Sequence, residues 1–165
     1  MTQLTSLVLL KTVLLSGLAL WLAVIVLNNV TAFRNGVFSI GALMGMQLFN
    51  QEPAIVSPLL SRRVKSASWH RLIYSVIVLV EAAVALLLAI ASVAHFGVLL
   101  GGSDAASAGV WANLALCGFI TMSLIMLLGG AWFAYYIRQE GTQITHLVLI
   151  GIGIAGAVLM NLQGL

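Results

Sequence analysis

Four long apolar segments constrain the fold of this 165-residue chain more than any other feature. One helix needs roughly 20 consecutive apolar residues to cross a hydrocarbon core about 30 Å thick. The segments that meet this requirement lie at about 7–29, 71–95, 110–136 and 143–162. The sequence therefore predicts an all-α fold, a four-transmembrane-helix bundle that forms a single membrane domain over residues 1–165.

The composition also indicates a lipid environment. Hydrophobic residues make up 62% of the chain and charged residues only 7%, whereas soluble domains carry about 25% charged residues. The net charge of +3 would suggest nucleic acid as the partner of a soluble protein. Here the basic residues lie at the ends of the apolar segments, so the predicted partner is the lipid bilayer and not nucleic acid.

The first connection, about 31–70, is the only long one. Its part at about 36–50 is apolar but shorter than the roughly 18 residues that a membrane span requires. This pattern predicts an interfacial or re-entrant helix. Pro53 and Pro58 then mark a non-helical stretch before the second apolar segment.

The distribution of basic residues predicts the orientation of the chain in the membrane. Six of them lie at or beside the first and third connections, and only Lys11 lies on the opposite side. The six are Arg34, Arg62, Arg63, Lys65, Arg71 and Arg138. Because basic residues concentrate in cytoplasmic connections, both termini are predicted to lie outside the cytoplasm.

One carboxylate, Glu81, interrupts the second apolar segment. A charge at this depth costs about 3 kcal/mol on insertion scales, so Glu81 must face the protein interior, find a partner or become protonated. At about 100° per residue, one helix face carries nearly all the polar side chains of this segment. The members of this polar stripe are His70, Tyr74, Glu81, Ser92 and His95.

Two interpretations of Glu81 stay open. In the functional one, the polar stripe lines a path for a proton or a ligand. In the structural one, Glu81 is a buried carboxyl, protonated or hydrogen-bonded to Thr121 or Ser123 of the third segment. Lys11 is the only basic residue inside an apolar segment that could neutralise Glu81, and it lies near the opposite membrane face.

Two histidines are candidates for binding a cofactor. His70 opens the second segment and His146 lies near the start of the fourth, so both lie near the same membrane face. Two neutral imidazoles on facing helices can ligate the iron of a b-type haem. The competing interpretation is that both are hydrated residues of the membrane interface. No spacing of His, Cys, Asp or Glu typical of a metal site occurs, and no catalytic constellation is recognisable.

Small residues recur in the fourth apolar segment. Gly151 with Ala155, and Gly153 with Ala157, are spaced by four residues. Such pairs let helix backbones approach closely, and we expect them to contribute to packing inside the bundle.

Short motifs along most of the chain resemble those of an uncharacterised family of predicted small bacterial integral membrane proteins with four transmembrane helices. They are Asn28-Asn29-Val30-Thr31 with Asn35 and Phe38, Trp69-His70-Arg71 with Tyr74 and Glu81, and Gly130-Ala131-Trp132-Phe133. Many members have His and Asp where this chain has Gly41 and Met46, and Glu where it has Ala131. The resemblance implies a bacterial inner-membrane protein and no particular activity.

These observations favour a non-enzymatic accessory or interaction subunit of a membrane complex, without a bound cofactor. Its expected protein partner is another membrane protein or a second copy of the chain. One alternative is a small proton-linked transporter or channel that uses Glu81. Another is a haem- or quinone-binding redox subunit that uses His70 and His146.

Overall fold

The computed structural model describes residues 3–162, and within this range the protein consists of helices, turns and loops without a strand. The helices are α1 (Gln3–Thr31), α2 (Phe33–Met44), α3 (Ala67–Leu99), α4 (Ala105–Trp132) and α5 (Glu140–Asn161). Short 3₁₀ turns lie at Gln47–Asn50, Pro58–Arg62 and Tyr135–Ile137. The predicted all-α class is confirmed. The ends of the single domain predicted over residues 1–165 lie outside the described residues.

Four of these helices, α1, α3, α4 and α5, are long and apolar enough to cross a membrane. In their most apolar windows, only 17% to 33% of the residues are buried inside the bundle. Most of the apolar side chains therefore keep part of their surface on the outside of the bundle, as expected of helices that contact lipid or other helices instead of water.

The main helix contacts connect α1 with α3, α3 with α4, and α4 with α5, and a smaller contact between α1 and α5 closes the bundle. Buried positions along α3 recur every three or four residues, which places them on one face. The core between the helices is formed by Leu15, Ala19, Leu22, Val84, Leu88, Ala91, Ala112, Ala115, Leu116, Phe119, Met122 and Met160.

The third apolar segment ends earlier than predicted. Instead of continuing to residue 136, α4 ends at Trp132, and Ala134 then takes a left-handed backbone conformation with φ of 53°. The chain then turns back, and the ring of Tyr135 lies against Gly130. It occupies the space that a Cβ atom of residue 130 would need. Hydropathy counts the apolar residues of such a turn together with those of the helix, so the pattern alone could not separate them.

The predicted interfacial segment, about 36–50, also differs in its boundaries. Helix α2 begins at Phe33 and ends at Met44, after which Met46 has a φ of 47° and a 3₁₀ turn follows. This helix packs against α3, and Gly41 of α2 faces the ring of His70 in the first turn of α3. That α2 lies in the membrane interface stays a prediction.

A second, smaller apolar cluster joins the first connection to the turn between α4 and α5. Its buried members are Met46, Phe49 and Ala134.

Three arginines bind backbone or side-chain oxygens around this cluster. Arg62 donates to the Trp132 carbonyl at 3.1 Å and lies 4.5 Å from the centre of that indole ring. Arg63 donates to Asn50 Oδ1 at 2.8 Å, and Arg138 donates to the Pro53 carbonyl. These three guanidinium groups stabilise the loops.

Candidate functional site

Glu81 is buried between α3 and α1, with 7% of its surface exposed. The Asn29 side chain donates a hydrogen bond from Nδ2 to Glu81 Oε2 over 2.6 Å. The structural interpretation named Thr121 or Ser123 as the partner, and this was wrong. Glu81 faces α1 and not α4. The Thr121 side chain is exposed, and Ser123 donates to the Phe119 carbonyl of its own helix.

Tyr74 extends the site towards the end of α1. Its hydroxyl donates to the Asn29 carbonyl over 3.3 Å, so Asn29 contacts the polar stripe through both its side chain and its backbone. The Tyr74 ring lies over Gly36, where a Cβ would clash, and its centre is 5.1 Å from that of the Phe33 ring. The site therefore lies beneath the junction of α1 and α2.

That junction is a break between two helices. The backbone leaves the α-helical conformation at Ala32, with φ of −99° and ψ of 33°, and α2 begins at the next residue. A helix break removes regular hydrogen-bond partners from nearby carbonyl groups, which must then find other donors. The Tyr74 hydroxyl is such a donor for Asn29.

The other members of the polar stripe lie elsewhere along α3. Ser92 Oγ is 2.6 Å from Ser16 Oγ on α1, and His95 Nδ1 is 3.1 Å from the Ala91 carbonyl. Ser92 is eleven residues after Glu81, about 16 Å along the helix axis. The buried positions of α3 between them are Val84, Leu88 and Ala91. On α3, the polar stripe therefore consists of separate polar contacts with an apolar interval between them.

The structure gives His70 and His146 separate neighbours. His70 Nε2 is 2.8 Å from the Val64 carbonyl, and the His70 ring packs against Gly41 of α2. His146 on α5 stacks on Tyr135 with the ring centres 5.8 Å apart, and its Nδ1 is 3.3 Å from the Tyr135 hydroxyl. Burial raises the pKa of Tyr135, which keeps this hydroxyl protonated. The two imidazoles thus contact different parts of the protein.

Within residues 3–162, no group of three or more His, Cys, Asp or Glu side chains lies close enough together to hold a metal ion. The polar groups of the site instead bind one another or the backbone.

The sequence analysis missed the partner of Glu81, which is Asn29, and the partner of Lys11, which is the C-terminal end of α5. The buried positions of α1 are three or four residues apart, and Asn29 follows the last of them, Leu22, by seven residues. Asn29 therefore lies on the same face of α1, and this spacing could have identified it.

Lys11 Nζ donates to the carbonyls of Met160 and Leu162, each over 2.9 Å. Lys11 therefore neutralises the partial negative charge at the C-terminal end of α5 and is not the partner of Glu81.

A bundle of four long apolar helices, with its few polar side chains paired inside, defines the class of a small multi-pass integral membrane protein. The chain belongs to the family of predicted small integral membrane proteins called DUF2165, whose model matches residues 7–163. The predicted family membership is thus confirmed. No curated protein and no solved structure matches the chain.

Proposed function

We propose that this protein is an accessory or interaction subunit of a complex in the bacterial inner membrane, and that α5 carries its docking face. The observation that supports the proposal is an outward-facing seam of six residues along α5, called the α5 seam below. It consists of Ile144, Val148, Gly151, Ala155, Val158 and Leu162.

The spacing of the residues in the α5 seam, and the sizes of their side chains, are typical of a helix-packing surface. Successive members are four, three, four, three and four residues apart, the pattern that places side chains along one interhelical line. The four large members are each more than half exposed, and the two central ones are small. A Cβ added to Gly151 would meet open space. A partner helix could therefore approach closely at the middle of the seam.

The other small-residue face of α5 is already occupied. A Cβ added to Gly153 would lie 2.5 Å from Ile120 Cγ1 of α4, and Gly156 faces Leu116 and Leu14. Ala157 packs against the main core. Packing inside the bundle thus uses one face of α5 and leaves the α5 seam free for an external helix, either from another membrane protein or from a second copy of the chain.

The test is site-directed cross-linking of the full-length protein in native membranes. Val148→Cys in a Cys117→Ser background should cross-link to one partner, and the mass of the product identifies either a second copy or another protein. Gly151→Ile should abolish that product because a branched side chain fills the centre of the seam. Gly17→Ile is the matched control, since Gly17 is also an exposed helix glycine with open space around it.

The proposal fails if Val148→Cys gives no product above the background of Cys117→Ser alone. It also fails if Gly151→Ile and Gly17→Ile reduce the product equally, because the effect would then not depend on the α5 seam.

We also propose that both termini face the periplasm. The six basic residues on one side, against Lys11 on the other, support this orientation. Reporter fusions after Asp104 and at the C-terminal end of the chain should both report the periplasm. A cytoplasmic signal from either fusion contradicts the orientation.

A second candidate function, proton-linked transport through Glu81, is favoured by the helix break at Ala32. Discontinuous helices, whose unwound carbonyl groups bind ions, recur at the sites of secondary transporters, and here the break lies beside the buried Glu81 and its partner Asn29. Glu81→Gln keeps an oxygen that can accept from Asn29 but does not ionise. Transport predicts that proton uptake into proteoliposomes, measured with an enclosed pH-sensitive dye, is present in the wild type and lost in Glu81→Gln. Equal uptake by the two proteins, or none by either, excludes this candidate.

A further inference from the structure

An open cleft of about 310 Å³ lies between α2 and α3, lined by Phe33, Arg34, Val37 and Arg71. Its two charged lining residues are both arginines, and no acidic residue is among the lining. Binding pockets for small ligands have volumes of about 300–1,000 Å³, so the cleft has room for a compact ionic group.

The two arginines of this cleft differ from the other three in the chain. Arg62, Arg63 and Arg138 each donate to a protein oxygen near the second apolar cluster. Within residues 3–162, neither Arg34 nor Arg71 donates a hydrogen bond to a protein acceptor. The two guanidinium groups without such an acceptor therefore line the same cleft, although they come from helices separated by a long connection.

The first turn of α2 lines one side of the cleft. Phe33 and Arg34 form the first turn of α2, and no side chain caps this helix at Ala32. The first N–H groups of a helix lack intrahelical acceptors and can donate to an anion. Two arginines beside such a helix end provide the planar, multidentate donors that suit a phosphate group.

The surroundings of the cleft indicate where that phosphate comes from. Phe33 and Val37 form apolar walls, and the neighbouring surface exposes Phe38, Trp69 and Leu72. Arg71 immediately precedes the apolar part of α3, and Arg34 follows the end of α1 by three residues. A phospholipid carries its phosphate group at the depth where membrane helices end, and its acyl chains lie directly beside that phosphate. Basic pockets between transmembrane helices bind anionic headgroups in this way.

We propose that the cleft between α2 and α3 binds the phosphate of an anionic phospholipid headgroup through Arg34 and Arg71. The apolar walls contact the upper part of an acyl chain. An anionic lipid is favoured over a zwitterionic one because the two arginines repel the positive charge of a choline group and no acidic side chain lines the cleft to offset that repulsion.

The experiment uses the full-length protein in detergent and native mass spectrometry with phosphatidylglycerol or phosphatidylcholine added at equal concentration. The wild type should retain phosphatidylglycerol more strongly than phosphatidylcholine, which carries the same phosphate but also a positive charge. Arg34→Gln and Arg71→Gln should each weaken that binding about tenfold, as expected when a charge-assisted hydrogen bond is lost. The matched control is Lys65→Gln, which removes the same charge from an exposed position outside the cleft. It should weaken binding less than about threefold, in keeping with the small effects of exposed charges.

Three results would overturn the proposal. Equal losses in the two arginine variants and in Lys65→Gln would mean that general surface charge attracts the lipid. Undiminished binding by both arginine variants would place the lipid elsewhere. Displacement of phosphatidylglycerol by millimolar inorganic phosphate would assign the cleft to a soluble phosphate compound instead of a lipid.

Discussion

Helices α1 and α3 are joined by polar side chains at two levels of their interface, whereas α4 and α5 approach closely through glycines along most of theirs. A polar pair joins α4 to α5 only at the C-terminal end of α5, where the side chains of Asn113 and Asn161 bind each other over 2.9 and 3.2 Å. In the first pair, Asn29 binds Glu81 over 2.6 Å, and Ser16 binds Ser92 over 2.6 Å. In the second pair, Gly153 faces Ile120 and Phe119. The same short chain thus uses two different ways of joining apolar helices.

The difference follows from the solvent around the helices. Lipid tails are as apolar as leucine, so burying a leucine between two helices gains little inside a membrane. Association must come from hydrogen bonds between helices or from close van der Waals contact, and small residues provide the latter. The first pair is expected to be sensitive to the loss of a polar group, and the second to any gain in side-chain volume.

The largest effect is expected from a volume change between α4 and α5. Gly153→Leu places a side chain where even a Cβ would lie 2.5 Å from Ile120 Cγ1. Because overpacking forces helices apart, the free energy of unfolding should fall by about 3 kcal/mol or more. Reversible unfolding in mixed dodecyl sulfate micelles, followed by circular dichroism, measures this change.

Gly151→Leu is the control on the same helix, since the site is exposed and open. Both variants gain the same helix propensity relative to glycine, so the difference between them reports packing alone. Equal stabilities would contradict the assignment of Gly153 to the close contact.

An intermediate effect is expected from removing the donor to Glu81. Asn29→Ala leaves a buried carboxyl oxygen without its partner, which should lower the free energy of unfolding by about 1–3 kcal/mol. Asn28→Ala changes the neighbouring residue, which is exposed, and should have little effect.

A double-mutant cycle sharpens this result. In a Glu81→Ala background the added cost of Asn29→Ala should shrink, because the acceptor is already gone. If Asn29→Ala costs the same with and without the Glu81 carboxyl, the hydrogen bond does not join α1 to α3.

The smallest effect is expected at the serine pair. Ser16→Ala should cost about 0.6 kcal/mol, the average for hydrogen bonds between membrane helices, since a lone hydroxyl can still bond to its own helix carbonyl. Ser16→Ala should cost nothing further in a Ser92→Ala background. Ser6→Ala is the control, because Ser6 donates to the Gln3 carbonyl within its own helix. A larger loss for Ser6→Ala than for Ser16→Ala would refute this ranking.

The four apolar helices could be predicted because membrane-spanning length and hydropathy are properties of contiguous residues. The partner of Glu81 could not, because it depends on which helix the polar stripe of α3 faces. Hydropathy does not encode that choice: α1 and α4 are both apolar on all sides. The spacing of Asn29 relative to Leu22 gave a usable signal, but only once α1 was known to be the neighbour.

The turns were also beyond prediction, for a different reason. Ala134 and Met46 take left-handed backbone conformations, although neither is a glycine. Such conformations are disfavoured for residues with a side chain and persist where the surrounding structure holds them. Both residues are buried members of the second apolar cluster, so tertiary packing decides their conformation.

The bond from Lys11 to the end of α5 has a consequence for the order in which the protein is built. The ammonium group and the Met160 carbonyl are 149 residues apart in the chain. During synthesis α1 leaves the ribosome long before α5 exists, so Lys11 must stay hydrated until the last helix is inserted. A nascent chain stopped before Met160 would leave that charge without its acceptors. Helix α1 can pack against α3 before α5 exists, but only a chain translated through its final helix supplies both acceptors of the Lys11 ammonium group.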